Sequence, residues 1–397
     1  MCHYVPVQHV TDAERRSRLA IRHALAPDFR ADSPVAATRA VTALHATEPA
    51  TVYLSCWARV AALTLADVDQ AIYQDRVLVK QLAMRRTLFV FPRDLLPTVW
   101  PSSAARVART ERARLGKDVV ASGLAENGDD WIDQARKEVL AVLADAPEGL
   151  SAIDVRRAVP RIAVKVIGQA GEAWSAPRVL TVLGAAGDIV RGVNTGRFPA
   201  SQPRWTLTGQ WLGDVPAPRG VAEGYRDLVR HWLYSFGPGT EDDIVWWLGA
   251  TKTIVRTALS ELDAVAVSLD NGATGWLLPD DTDPVADPGS WVALLPVLDP
   301  TVMGWRDRDF YLGPYRDELF ESRGNAGTTV WADGRAIGTW VQDDRGAVRV
   351  QLLESVPPST QRALTEEAER LTEWLGGVRI GTGYVSPAMR SATRALG

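Results

Sequence analysis

Residues 131–144 read WIDQARKEVLAVLA, and the stretch they open decides the fold. Ile132, Ala135, Val139, Leu140 and Leu143 fall on one side of a helix. Asp145-Ala-Pro-Glu-Gly149 is a turn, and Ser151 with Asp154 three residues on opens a short helix to Val159 as an approximate capping box. A third helix is expected over 175–186. Asp188-Ile-Val-Arg-Gly192 and Arg204-Trp-Thr-Leu207 then make two strands around a turn rich in Gly and Pro. Helix, turn, helix, turn, helix and hairpin is the order of a winged helix-turn-helix.

Working outward, the order recurs. Tyr225, Leu228, Val229, Trp232 and Leu233 mark a helix over 221–236, broken by Gly237-Pro238-Gly239. Thr240 caps a helix over 241–248, a third follows over 252–262, and runs at 265–269 and 276–278 flank the hairpin turn Asn271-Gly272. A less regular copy precedes both, with helices over 34–44, 52–60 and 65–74, strands at 82–86 and 87–91, and a long basic helix over 102–115. After Pro288 come short β-type runs at 291–295, 328–331, 336–341 and 348–352, punctuated by Asp333-Gly334 and Arg345-Gly346. A helix over 359–375 and a strand near 378–380 close the chain. The expected architecture is α+β, with three tandem winged helix-turn-helix units over 1–130 (including the basic helix), 131–218 and 219–287. A small β-barrel-like domain over 288–397 follows them.

The 397 residues are 46% hydrophobic and 23% charged, which excludes disordered and low-complexity classes. No apolar run reaches the ~18 residues of a bilayer span, and the N-terminus lacks the blocks of a signal peptide, so a cytoplasmic protein is expected. Cys2 and Cys56 form no disulfide framework. The five histidines show no ligand spacing, so no metal is expected, and the absence of a phosphate-binding Gly-rich loop argues against a nucleotide cofactor. Gly376-Gly377 and Gly381-Thr-Gly383 read as isolated turns. Asp299, Asp307 and Asp309, interleaved with Arg306 and Arg308, read as local ion pairs.

Net charge is −4, but its distribution is uneven. Residues 81–117 hold eight basic against two acidic side chains and 151–220 hold nine against four, whereas 240–300 hold two against eleven. A basic first half points to a polyanion-binding face. Arg106, Arg109, Arg112 and Lys117 share much of one helix side. Arg85 and Arg86 stand at the first wing, Arg178 on the presumed recognition helix of the second unit, and Arg191, Arg197 and Arg204 on its wing. These are the candidate DNA contacts, with Trp174 and Trp205 as aromatic candidates beside the second wing. The acidic run Glu241-Asp242-Asp243 is wrong for phosphate and marks the third unit as structural.

Several stretches resemble one family. They are Thr38-Arg-Ala-Val-Thr-Ala-Leu-His-Ala-Thr-Glu-Pro49 leading to Tyr53-Leu-Ser-Cys-Trp-Ala-Arg59, then Met84-Arg-Arg-Thr-Leu88, and Leu295-Pro-Val-Leu-Asp299 with Gly304-Trp-Arg-Asp-Arg308. Gly324-Asn-Ala-Gly-Thr-Thr-Val-Trp331 with Asp333-Gly334-Arg335 completes the set. The sequence resembles the bacterial winged-helix DNA glycosylases that excise alkylated bases and unhook interstrand crosslinks, some of which protect antibiotic producers from their own products. The resemblance implies three winged helices forming a C-shaped channel for duplex DNA, followed by a β-barrel, and a monomer acting on alkylated purines in double-stranded DNA. Family members carry Gln–hydrophobic–Gln or Gln–x–Asp before an acidic residue and proline. Here the positions are His45-Ala46-Thr47, then Glu48-Pro49.

An N7-alkylguanine is cationic and leaves without prior protonation. The enzyme has only to hold the lesion, stabilise oxocarbenium-like charge and place a water. A neutral His45, with an ordinary pKa near ~6.5, can accept the water's proton. Thr47 can hold the water by its hydroxyl, and Glu48 is a second base or charge stabiliser. No lysine lies near this motif, which favours simple hydrolysis over a Schiff-base lyase. The alternative is a non-catalytic winged-helix DNA-binding protein, either a regulator or a lesion binder that lost hydrolysis with the glutamines.

Overall fold

A computed structural model describes residues 8–169, 171–215 and 217–396. The chain forms two compact units, one made of Met1–Asp69 with Arg226–Gly397, the other of Gln70–Tyr225.

In the second of these units, Asn127 caps helix Gly128–Ala144 by accepting from the Asp129 and Asp130 amides, so the helix starts three residues before its first apolar position. Ser151 Oγ accepts from the Asp154 amide (3.1 Å) and donates to its carboxylate (2.6 Å), opening helix Ala152–Ala158. Helix Ser175–Ala186 ends at Gly187, whose φ of 83° suits a residue without a Cβ. Strands Ile189–Asn194 and Pro203–Leu207 pair antiparallel, and Leu150 adds a bridge to Trp205. Val139, Leu143, Val155, Val179 and Leu183 make the shared core. Leu115 and Val119 of the basic helix, Ala105–Ala121, enter the same core, which carries that helix beyond its expected end.

Two features depart from expectation. The segment between Ala158 and Ser175 holds a second hairpin, Lys165–Gly168 with Gly171–Trp174. The strands expected at 82–86 and 87–91 are instead Leu78–Ala83 paired antiparallel with Thr87–Pro92. Arg85 and Arg86 take left-handed φ values of 54° and 61° and so make the turn. Gln81 hid the strand because it is polar, yet it is buried and satisfied: it accepts from Trp100 Nε1 (3.0 Å) and donates to the Gly184 carbonyl (2.9 Å).

In the other unit, the expected helix over 34–44 stops at Ala40, and Leu44–His45 is a two-residue strand. The third repeat follows the expected order: helix Val221–Phe236, strand Gly239–Thr240, helix Glu241–Leu248, helix Lys252–Glu261, and strands Val265–Leu269 and Thr274–Leu277. Strand Gly239–Thr240 pairs with Thr274–Leu277 on one side of the sheet. On the other, His9–Val10 pairs parallel with Val265–Leu269.

The C-terminal region is not a barrel. Val292–Leu295, Thr329–Ala332, Arg335–Gln342 and Val348–Leu352 form an open antiparallel meander whose outer strands do not pair with each other. The expected strand at 378–380 is replaced by a side chain: Gln342 donates to the Val378 carbonyl (2.9 Å) and accepts from the Ile380 amide (2.8 Å). One carboxamide thus does locally what an added strand would do along a row, and the sheet edge needs no closure. Helices Pro358–Leu375 and Pro387–Leu396 complete the region. Among the described residues no helix is long and apolar enough to cross a membrane.

Candidate functional site

The motif Leu44–Pro49 is a short strand, a bend and a helix start. Pro49 suits the first helical position, and Glu48 before it holds an extended backbone (φ −93°, ψ 118°), as the proline ring requires. Glu48 occupies the N-cap without capping by its side chain. Its Oε1 instead accepts from the Gly383 amide at 3.2 Å. The Gly381-Thr-Gly383 turn, which looked incidental in the sequence, therefore orients this carboxylate. Thr47 is exposed and Glu48 half-buried, while His45 is only 7% exposed.

The helix Pro49–Trp57 behind the motif is fixed by a buried polar network. Asp299 accepts from Ser55 Oγ (2.6 Å), from Arg59 through two nitrogens (2.7 and 2.9 Å) and from the Thr301 amide (2.9 Å). Burial pushes the Asp299 carboxyl up, but Arg59 and these donors prevail and hold it below the usual carboxylate range. Asp299 is thus paired with an arginine 240 positions away, not with neighbouring Arg306 or Arg308. Arg59 also donates to Thr301 Oγ1 (2.7 Å), which bonds His23 Nδ1 (2.8 Å). The other ring nitrogen of His23 reaches the Ser235 carbonyl (3.0 Å), and Ser235 Oγ bonds Thr42 (3.0 Å), three residues before His45. Cys56, in the same buried layer, has its thiol pushed up to about 12 by burial, so it is no nucleophile.

The candidate DNA contacts separate by what already holds them. Arg86 pairs with Glu111 (2.8 Å), Arg112 with Asp129 and Asp133 (2.7 and 2.8 Å) and Arg178 with Asp118 (2.6 Å). Arg204 donates to the Glu148 and Gly149 carbonyls, bracing the turn before helix Ala152–Ala158. Arg191 lies half-buried over the Trp205 ring, and burial lowers its pKa. Arg85 sits half-buried in its left-handed turn. Arg106, Arg109 and Arg197 have no carboxylate partner among the described residues, and the last two are exposed.

Trp205 belongs to the core, but Trp174 is 42% exposed, with Arg156 4.5 Å and Lys165 5.9 Å from its ring centroid. On this hairpin Ile167 is also exposed, and Lys165 pairs with Glu172 (2.6 Å). The hairpin's only sequence signal was the turn Gly168-Gln-Ala-Gly171 between two short apolar runs. Among the described residues no three His, Cys, Asp or Glu side chains gather as a metal would need.

None of the curated proteins matches the sequence significantly. Among solved structures, the Streptomyces sahachiroi DNA glycosylase AlkZ superposes with a TM-score of 0.75 at 19% identity, over 94% of this chain and 99% of that one. The model of the AlkZ-like DNA glycosylases matches residues 38–374, a span that contains the whole His45–Glu48 motif, its Asp299 anchor and both regular repeats, and the chain belongs to that family.

Proposed function

We propose that this protein is a monofunctional DNA glycosylase that hydrolyses the N-glycosidic bond of cationic N-alkylpurines, of the N7-alkylguanine type, in duplex DNA. Its repeats act as tandem winged-helix units. The observation that carries the reading is the Glu48 carboxylate, oriented by the Gly383 amide at the start of helix Pro49–Trp57 and next to exposed Thr47.

In the proposed reaction the bond from the anomeric carbon to N9 breaks, and its electron pair passes to the purine, cancelling the N7 cation. Glu48 stabilises the positive charge that develops on the sugar, and Thr47 holds the attacking water. As the new C–O bond forms, the water's proton passes to Glu48. Burial makes His45 the weaker candidate for direct contact with the sugar. On the DNA side, Arg106, Arg109 and Arg197 are the phosphate contacts best placed to act, because no carboxylate among the described residues holds them.

The test uses a labelled duplex with one N7-methylguanine, protein in excess, and alkali to cut abasic sites. Wild type gives scission. Glu48→Gln lowers the single-turnover rate by about 100-fold, the scale of removing one charge-stabilising group, and His45→Ala by less. Binding of the adducted duplex with no scission of methyl or bulky adducts overturns hydrolysis and leaves a lesion-binding protein.

A further inference from the structure

Among the described residues four arginines are 5% exposed or less, and three of them have a carboxylate. Arg15 pairs with Asp12 (3.5 Å), Arg18 with Glu14 (2.8 Å) and Arg59 with Asp299 (2.7 Å). The fourth, Arg308, ends the Gly304-Trp-Arg-Asp-Arg308 stretch and has no carboxylate partner among the described residues. Its guanidinium lies over the Trp246 ring at 4.9 Å and the Phe320 ring at 4.8 Å. Its Nε and Nη2 meet no hydrogen-bond partner. Those two nitrogens form one edge of the guanidinium, whose parallel N–H bonds fit two oxygens of an oxyanion.

No neighbour supplies those oxygens. Asp243 is the carboxylate whose charge reaches Arg308, but it already accepts from the Thr240 amide and hydroxyl and from the Arg306 and Asp307 amides. The Tyr311 hydroxyl donates to the Val302 carbonyl (2.8 Å). Burial therefore pulls the Arg308 pKa down. A buried cation without a counter-charge is costly, and an anion from solution removes that cost.

The approach is cationic. Arg316, whose charge also acts on Arg308, is exposed without a carboxylate among the described residues, and Arg306 stands 3.7 Å from Asp242. Both arginines line a groove with Asp243 and Asp307. The other acids there are occupied, Glu241 by Arg256 and Asp242 by Lys252 (both 2.7 Å), so the field at Arg316 draws anions.

The number of free donors selects the anion. Two N–H groups match the two oxygens of a carboxylate, whereas a phosphate brings four and leaves two of them buried without donors. The edge is closed to solvent, so the ligand is small, and Trp246, partly exposed, is the side chain past which it enters. We propose that Arg308 anchors a binding site for a small free monocarboxylate, held by two parallel bonds on Nε and Nη2 beside Trp246 and Phe320. The site is independent of the glycosylase reading and shares no residue with the His45–Glu48 motif.

The test follows thermal unfolding of the whole chain in chloride, formate, acetate or inorganic phosphate, at fixed pH and equal ionic strength. Formate and acetate raise the wild-type midpoint saturably, by at least ~2 °C over chloride, the scale of filling one site in a chain of this size. Phosphate does not. Arg308→Met, which keeps the bulk and removes the charge, abolishes the rise. Arg316→Ala, at an exposed position, weakens formate binding at least twofold by isothermal titration. A rise that is absent, equal in Arg308→Met, or seen with phosphate alone overturns the assignment. Where Arg308→Met does not fold, formate affinity unchanged in Arg316→Ala overturns it.

Discussion

In the repeat over 128–207, Trp174 stands 42% exposed with Arg156 and Lys165 around its ring. In the repeat over 221–277 no such hairpin stands between the second and third helices, and its acidic run is held within the protein. Asp243 is wholly buried: its carboxylate accepts from the Thr240 amide and hydroxyl (2.9 and 2.8 Å) and from the Arg306 and Asp307 amides (2.8 and 2.9 Å). Glu241 pairs with Arg256 (2.7 Å), and Asp242 with Lys252 (2.7 Å). The Ser235 carbonyl and the Phe236 ring of its first helix contact buried His23. One element order thus serves two ends. Where acids close a cap and accept from backbone amides, the repeat braces the fold; at the hairpin of the other repeat an aromatic ring stays open beside Arg156, while Lys165 is paired with Glu172 (2.6 Å).

The sharpest way to break this contrast is Asp243→Ala. It removes a capping box and the acceptor of the part-buried Arg306 and Asp307 amides, a loss of about 1–3 kcal/mol. Urea unfolding should show that loss, while affinity for undamaged duplex DNA at low temperature stays within twofold of wild type. A fall in DNA affinity that exceeds the fall in stability would make the third repeat a binding surface.

Next comes pH. Burial, then the Arg59 charge, pushes the His23 pKa down to about 3, against ~6.5 in the unfolded chain. Between those values the unfolded state holds the extra proton, so stability rises with pH and is lost as pH falls below about 6.5, by about 2 kcal/mol at pH 5. His23→Gln should flatten that dependence. Hydrogen exchange at pH 5 should open residues 226–236 before helix Gly128–Ala144; the reverse order would place the acid-labile point elsewhere.

On the second repeat, Trp174→Ala should leave stability nearly unchanged, because the ring is open. It should weaken DNA binding by about 1–3 kcal/mol if a base stacks on it. Arg109→Ala should lower the slope of log affinity against log salt by about one, whereas Arg112→Ala, already held by two carboxylates, should change it little. The smallest effect is expected for Glu241→Gln, because its partner Arg256 is exposed and solvent screens the pair. A larger loss in thermal unfolding would mean that the Arg256 contact is part of the core.

Much of the fold was legible where polarity and spacing agree. Ser151, Thr240 and Gly187 each mark a helix end by local hydrogen bonding or backbone freedom, and each does so in the structure. Gln81 was not legible for the opposite reason: it is polar yet buried on a strand, where distant partners outweigh the local signal. The candidate site divides in the same way. Its residues were legible as a motif, since His45, Thr47 and Glu48 lie within four positions. The Gly383 amide that aims Glu48 was not, because it lies 335 residues away in sequence.

By itself, the sequence determined the order of most helices and strands, the asymmetry of charge, and the clustering of His45, Thr47 and Glu48 within four positions, because these depend on spacing and residue type alone. The tertiary structure decided which charges remain free. A side chain's availability depends on its partners in space: Arg112 meets Asp129 and Asp133, Asp299 meets Arg59, and Glu48 meets the Gly383 amide. It also decided that the C-terminal sheet stays open, since one carboxamide, Gln342, takes the place of an added strand.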